Sequence, residues 1–373
     1  MVCHLSMLFF LFVIQSFKCS SFIMRYMIFI SVCLLPSLPR WLTRTVFLCF
    51  IIMLSNGGNI LYAQQSKVDS LLTLLKKDKE DTNKVIHSYK VCVEYRKIGG
   101  YDTALRYGNA ALNLGKKINF KKGIAQSYNN IGNIYINQGN SDKALENYFA
   151  SLQLSEEMGN KKDIASSYNN IGNIYINQGD FDKALENYFA SLKIGKEIGN
   201  KQGTASSYNN IGNIYSGQGN YDTALENYFA SLQLREEIGD KQGIASSYNN
   251  IGVIYYNQGN YDTALENYFV SLQLSEEIGD KQGIANSYSN IGAVYIKQNK
   301  TAEAKKQLLL SLSIAKTIGS KYVIKEAYQS LSLCDSAEGN WKGAYHYQKL
   351  YTQINDSIFN AESDKRTAEM SAK

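Results

Sequence analysis

The stretch SYNNIGNIY decides the fold of this chain, because it occurs three times unchanged, at residues 127–135, 167–175 and 207–215. Two altered copies follow in the same phase, SYNNIGVIY at 247–255 and SYSNIGAVY at 287–295. The spacing between copies is 40 residues, and one glycine position repeats with it: Gly99, Gly139, Gly179, Gly219 and Gly259, continued by Asn299 and Gly339. A fixed period of this length indicates a solenoid of repeated structural units.

The period divides the chain into four parts. We predict a leader over residues 1–63, an N-terminal capping helix segment over 64–84, seven 40-residue units over 85–360 and a charged helical tail or linker over 361–373. The units begin at residues 85, 125, 165, 205, 245, 285 and 325. A turn of Gly-Asn or Gly-Asp separates two helical patterns in each unit. In the second unit we predict helices over about Lys122 to Gln138 and Asp142 to Glu157.

Apolar periodicity supports these helices. In the first helix, spacings of three and four residues join Ile124, Tyr128, Ile131 and Tyr135. The second helix has an apolar side made of Leu145, Tyr148, Phe149, Leu152 and Leu154. Asn140 and Asn160 suit N-caps, and Gly159 suits the left-handed residue that ends a helix. Since one helix pair cannot bury its apolar stripe alone, stacked copies predict an all-α solenoid.

The unit resembles a tetratricopeptide repeat, because large, glycine, alanine and aromatic residues fall in the slots which that family uses: Tyr128, Ile131, Gly132, Tyr135, Ala144 and Tyr148. The resemblance implies a right-handed superhelical solenoid of antiparallel helix pairs whose first helices line a concave groove. The departures are a unit of 40 rather than 34 residues, no proline after Pro39, and Cys92 and Ser332 in the glycine slot of the outer units. The long unit resembles the repeats of spindle-orientation adaptors and bacterial envelope sensors.

The Asn residues of the quoted stretch lie on the helix side opposite the packed residues. At 100° per residue they form a polar arc, and two rows repeat along the chain. The first Asn row is Asn130, Asn170, Asn210, Asn250 and Asn290; the second Asn row is Asn133, Asn173 and Asn213. The resemblance places both rows in the groove, where amides can bond the backbone of an extended peptide. The alternatives are bonding between neighbouring helices, simple solvation, or a pattern left by duplication.

A border row lies beside the polar arc and varies in character: Ile136, Ile176, Ser216, Tyr256 and Ile296. It could form side-chain pockets, although the edge of the core is the favoured interpretation. The cations with which some family members hold a terminal carboxylate are absent from the central rows, so recognition of an acidic C-terminal tail is disfavoured.

The net charge and the composition of the leader limit the classes of function that this chain can have. The net charge is +6, but residues 1–63 hold four cations and no acid, so the remainder is close to neutral and does not favour nucleic-acid binding. From Arg40 the chain has a basic start, a short apolar core over Val46 to Leu54 and Ala63 before Gln64, which is typical of a cleaved signal peptide. Residues 1–39 suggest a start assigned too far upstream, or less favoured, a membrane anchor over 22–38. We therefore expect an exported protein of the periplasm or envelope, whose mature part does not span the membrane and which the leader could associate with it.

No motif for catalysis is present after the leader. His87 and His346 lie at opposite ends of the repeats without metal-ligand spacing, and the glycines occupy helix ends and crossings. Cys92 and Cys334 are predicted to be small buried residues without a disulfide. We expect no enzyme activity, no metal and no cofactor.

Two functions remain open from the sequence. One is a non-catalytic scaffold that binds proteins or extended peptides in the Asn-lined groove. The other, by resemblance, is the extracytoplasmic sensory region of a bacterial signalling protein whose kinase or transcription-regulator output is missing. The sequence does not indicate the oligomeric state.

Overall fold

The computed structural model describes residues 67–371, with side chains through residue 360. The residues from Leu71 onward form one compact unit. The predicted signal peptide and upstream segment lie outside the described residues. Between residues 67 and 371 the structure is helical throughout, without strands.

Within residues 67–371, fifteen helices follow one another at intervals of about 20 residues. They are α1 (67–77), α2 (Thr82–Lys97), α3 (Tyr101–Lys117), α4 (Lys121–Asn137), α5 (Ser141–Glu157), α6 (Lys161–Gln178), α7 (Phe181–Glu197), α8 (Lys201–Gly217), α9 (Tyr221–Ile238), α10 (Lys241–Asn257), α11 (Tyr261–Ile278), α12 (Lys281–Lys297), α13 (Thr301–Ile318), α14 (Lys321–Ala337) and α15 (Trp341–Ser371). From α2 onward they form seven packed pairs. The pairs begin at Thr82, Lys121 and each fortieth residue after it, about four residues before the predicted units.

The turns form as the glycine and Asn pattern predicts. Gly139 has a φ of +82° and Gly159 a φ of +64°, a region that costs glycine little. At the first turn the Asn140 amide N donates to the Tyr135 carbonyl over 2.8 Å, which satisfies an otherwise orphaned group. Asn140 then caps α5 by accepting from the Lys143 amide over 3.0 Å. Asn299 takes the glycine position at the α12–α13 turn with a φ of +58°, a region that Asn tolerates.

The core repeats with the units. Between α5 and α6 one cluster contains Ala144, Tyr148, Leu152, Ile171 and Ile174, all buried, and equivalent clusters follow in the next units. Each cluster draws residues from two consecutive pairs. A unit therefore depends on its neighbours for burial, which is the stacking expected of a solenoid.

One residue pair sets how closely the two helices of a unit approach. A Cβ on Gly132 would lie 2.7 Å from Cε1 of Tyr148, so only glycine fits against the ring. The first unit reverses the sizes, because Cys92 stands in the glycine slot and Gly108 in the tyrosine slot. A Cβ on Gly108 would lie 3.3 Å from Sγ of Cys92. Cys92 and Cys334 are both buried, as predicted.

The predicted apolar side of the second helix is wrong at one position. Phe149 is 47% exposed, whereas the adjacent Tyr148 is 2% exposed. The same position is exposed in the next three units, at Phe189, Phe229 and Phe269. A residue next to the buried tyrosine is turned by 100° around the helix, which directs it outward.

Candidate functional site

The first helices of several neighbouring pairs lie against one another along the stack. Direct contacts join the first helices of neighbouring units, at α2 and α4, α6 and α8, α10 and α12, and α12 and α14. No comparable contact joins neighbouring second helices among the described residues. The surface that the first helices share is therefore taken as the candidate groove.

The first Asn row lies at the contact between successive first helices. Four of its five members, Asn170, Asn210, Asn250 and Asn290, donate through Nδ2 to Oδ1 of the first Asn of the Asn-Asn dipeptide in the preceding unit. We call these acceptors the acceptor row: Asn129, Asn169, Asn209 and Asn249. The distances are 3.1 Å for Asn170 to Asn129, 3.4 Å for Asn210 to Asn169, 3.1 Å for Asn250 to Asn209 and 2.8 Å for Asn290 to Asn249. We call these bonds the Asn ladder. Bonding between neighbouring helices, one of the alternatives left open by the sequence, therefore occurs.

The Asn ladder does not extend before α4, because the acceptor Asn is missing from the first unit. Asn130 would need a partner at residue 89, which is a tyrosine, and Asn130 is only 9% exposed. Toward the C-terminus Ser289 replaces the acceptor. The ladder thus spans the central units, from α4 to α12.

The second Asn row is tied to the second helices of its own units. Asn133, Asn173 and Asn213 accept through Oδ1 from the hydroxyls of Tyr148, Tyr188 and Tyr228, over 3.0, 2.6 and 2.8 Å. Asn173 and Asn213 are otherwise exposed, while Asn133 is half-buried. Sequence reasoning missed this role of the tyrosines. The constant offset of 15 residues between Asn and Tyr was the available signal.

Burial keeps these tyrosines neutral. It raises the pKa of Tyr148 to about 12 and that of Tyr228 to about 12, and it also raises the pKa of Tyr188. The hydroxyls therefore remain hydrogen-bond donors at any physiological pH. Because each tyrosine hydroxyl donates to one amide oxygen, it fixes the orientation of that Asn side chain in the second Asn row.

The border row belongs to the edge of the core. Ile136, Ile176, Tyr256 and Ile296 are partly buried and pack against the core clusters. Tyr256 also lies 5.9 Å, centroid to centroid, from the ring of Tyr261. The favoured interpretation of this row is therefore confirmed.

The groove offers amides and hydroxyls rather than reactive groups. Among the described residues no group of three or more His, Cys, Asp or Glu side chains could hold a metal ion. His87 pairs with Asp78 over 2.6 Å at the N-terminal end, away from the Asn ladder. Burial raises the pKa of the Cys92 thiol to about 12 and that of Cys334 to about 11, which favours the unreactive thiol form.

Within residues 67–371, no helix combines the length and the hydropathy that a membrane span needs.

Comparison with known proteins agrees with this architecture. Models of the tetratricopeptide repeat match residues 125–158, 163–237 and 243–317. No curated protein matches this chain.

Several solved structures are similar in fold. The apo form of the quorum sensor NprR from B. thuringiensis has a TM-score of 0.64 and 18% identity, covering 83% of this chain and 85% of that one. The apo form of RapI has a TM-score of 0.60 and 14% identity, covering 74% and 99%. A signal transduction ATPase with a tetratricopeptide repeat sensor, from Pyrococcus horikoshii, has a TM-score of 0.62 and 18% identity, covering 76% and 44%.

Proposed function

Because the chain carries tetratricopeptide repeats from residue 125 to residue 317, we propose that it is a non-catalytic scaffold which binds extended segments of other proteins. The binding surface is the concave groove, and the first and second Asn rows supply its contacts. This function needs no metal and no cofactor.

The observation that supports this proposal concerns the Asn side chains that donate in the Asn ladder. The amide oxygen of each one has no hydrogen-bond partner among the described residues. Asn170 donates through Nδ2 to the preceding unit, and its Oδ1 has no partner among the described residues. The same holds for Asn250 and Asn290, and for Asn210, whose Nδ2 also donates to Oδ1 of Asn173 over 3.3 Å. Each amide is held in one orientation by the inter-unit bond, so it can accept from a peptide N–H without first losing side-chain freedom.

A row of fixed amide acceptors favours backbone over side-chain recognition. Extended peptides present N–H and C=O groups at regular intervals, and amides can bond both. The Asn rows carry no charged side chain, so they give no electrostatic reason to select a strongly charged tail. Specificity would then come from smaller features between the Asn positions.

A peptide-display selection on the immobilised full chain tests this function. The selected peptides are titrated against wild type and against N170A/N210A/N250A. Losing three acceptors should weaken binding by at least about tenfold, since each hydrogen bond contributes about 0.5–1.5 kcal/mol.

The matched control is N187A/N227A/N267A. These amides lie on second helices and donate only to carbonyls one turn earlier in the same helix, over 2.8 Å each. Binding should change by less than about twofold, because a lost local contact does not reach the groove. Equal weakening in both triple variants, measured while both remain folded by circular dichroism, would contradict the groove proposal.

The second candidate is a sensory region of a signalling protein. It is favoured by α15, which continues to Ser371 and is 31 residues long, against 16–18 for the other helices from α2 on. A helix that extends beyond the helix it packs against suits a connection to a following domain. Reading the gene downstream of Lys373 tests it: a membrane span with a kinase or DNA-binding domain supports it, and a clean stop followed by an unrelated gene counts against it.

We further propose that the protein acts in the cell envelope, as the leader over residues 1–63 suggests. Fractionation of cells that express the full chain measures this. Recovery in the periplasm or membrane fraction supports the proposal, and recovery in the cytosol contradicts it.

A further inference from the structure

A small cleft beside the Asn ladder is open in one unit and is occupied by the chain's own side chains in the unit on either side. This cleft lies between α6, α7 and α8 and has a volume of about 180 Å³. Its walls are small and polar: Ser166, Asn169, Asn170, Gly195, Gly203 and Ser206. Because Asn170 belongs to the Asn ladder, a segment bound along the ladder would pass the mouth of the cleft.

The equivalent cleft of the preceding unit is closed by two side chains of the chain itself. There Gln126 donates through Nε2 to Oδ2 of Asp163 over 3.1 Å, and Asn160 also donates to that oxygen over 2.7 Å. The positions of Gln126 and Asp163 are taken by Ser166 and Gly203 in the open cleft. Neither is long enough to cross it.

The equivalent cleft of the following unit is filled by an arginine. Arg235 occupies the position of Gly195, and its Nη1 donates to the carbonyl of Gly243 over 2.5 Å. A Cβ on Gly243 would lie 2.7 Å from Cδ of Arg235, so the arginine stem packs over that glycine. Burial lowers the pKa of the Arg235 guanidinium, and the nearby Asp240 carboxylate opposes this effect.

We infer that the cleft at Gly195 and Gly203 receives an arginine side chain of the segment bound in the groove. The guanidinium takes the place that Arg235 fills one unit later and donates to the Gly203 carbonyl. Asn200 stands where the following unit has Asp240, so the cleft supplies no carboxylate and the arginine is held less strongly. The inference rests on the proposed function, because it requires a segment in the groove.

Ser207, which lies beneath the cleft, can give up its hydrogen bond to the Gly203 carbonyl because it has a second acceptor. Ser207 donates either to the Gly203 carbonyl, over 3.2 Å, or to Oγ of Ser191, over 3.0 Å. In the following unit, where Arg235 takes the carbonyl, the equivalent Ser247 hydroxyl has no partner among the described residues. Ser207 therefore keeps a partner in Ser191 when a guanidinium enters, and occupation of the cleft leaves no buried hydroxyl unpaired.

Four blocked pentapeptides serve as probes, Ala-Ala-Xaa-Ala-Ala with arginine, lysine, glutamine or leucine at the centre. Each is titrated into the isotope-labelled full chain while the amide resonances of Gly203 and Ser206 are followed by NMR. The expected result is a saturable shift with the arginine peptide and an affinity at least threefold higher than for the other three. Equal shifts with all four peptides, or no shift with arginine, would overturn the inference.

Filled clefts provide the variants. G195R/N200D/T204I transplants the arrangement of the following unit, and S166Q/G203D transplants that of the preceding one. Both should keep the wild-type melting temperature within a few degrees and lose the arginine-specific shift; S166Q/G203D decides the matter if the first variant does not fold. R235G should open a second cleft, and the arginine peptide should then shift Gly243 as well. If a folded variant with a filled cleft keeps the arginine-specific shift, the inference is wrong.

The two proposals can fail separately. If ladder alanines weaken the display-selected peptides but cleft filling does not change the preference for arginine, only the cleft inference fails. If the ladder alanines have no effect, the groove proposal fails, whatever the cleft binds.

Discussion

Asn250 donates from Nδ2 to Oδ1 of Asn209 over 3.1 Å, although 41 residues separate them. The contact explains why the repeated stretch carries two adjacent Asn residues. One of the pair receives a bond from the following unit, and the other donates to the preceding unit. In a helix, Asn costs roughly 0.5 kcal/mol per residue relative to alanine. The hydrogen bond between units offsets this cost.

The first prediction concerns this bond. N250A and N209A should each lower the free energy of unfolding by about 1 kcal/mol, and the double variant should cost less than the sum, with a coupling of about 0.5–1 kcal/mol. Urea denaturation of the four proteins gives the coupling. N227A is the control, because Asn227 donates only to the Thr223 carbonyl of its own helix. Additive costs would show that the contact contributes nothing.

The second prediction concerns the close approach of glycine and tyrosine. A Cβ on Gly172 would lie 2.7 Å from Cε1 of the buried Tyr188, so G172A should force the ring to move. Overpacking of about 1–3 kcal/mol exceeds the gain of about 1 kcal/mol in helix propensity, and the melting temperature should fall. G217A is the matched control, since nothing lies within 4 Å of that Cβ. It should leave the melting temperature unchanged or raise it; a rise in both variants would refute the packing account.

The third prediction concerns alkaline pH. The pKa of Tyr148 and of Tyr228 is about 12 in the folded chain, against 10.0 for an unperturbed tyrosine. Above pH 10 the unfolded chain loses these protons first, so stability should fall between pH 10 and 12, by about 1–3 kcal/mol for each tyrosine. Urea unfolding at half-unit pH steps measures the decline. Y148F should make it shallower, and an unchanged slope would show that Tyr148 does not contribute.

The fourth prediction concerns the two buried thiols. With its pKa raised to about 12, Cys92 in the folded chain should react at pH 8 roughly a thousandfold more slowly than a free cysteine. Cys334, with a pKa of about 11, should react sooner. Timed labelling with mass-spectrometric mapping separates these sites from the leader cysteines, and labelling in urea is the control. Equal labelling rates with and without urea would contradict the burial.

The helix positions could be predicted from sequence because local chemistry sets them. The helix predicted over about Lys122 to Gln138 is observed at Lys121–Asn137, and Gly159 takes the left-handed conformation expected of it. Apolar spacing and turn residues act within a few positions of the chain. The exposure of Phe149 escaped prediction because helix periodicity gives a direction but not the width of the face that neighbours cover.

The sequence placed the Asn rows on one polar arc of the helix, but it did not identify their hydrogen-bond partners. The bond from Asn170 to Asn129 depends on the offset between two stacked units, which a single helical wheel does not contain. The hydroxyl of Tyr148 reaches Asn133 for a similar reason, since the crossing of the two helices in a unit sets that distance. The predicted contact of both rows with a peptide remains a prediction.

The most direct test of the groove proposal is a crystal structure of the full chain with a display-selected peptide. We expect an extended peptide along the first helices, with backbone N–H groups within about 3.2 Å of Oδ1 of Asn170, Asn210 and Asn250. A peptide bound instead over the exposed row of Phe149, Phe189, Phe229 and Phe269 on the second helices would contradict the account.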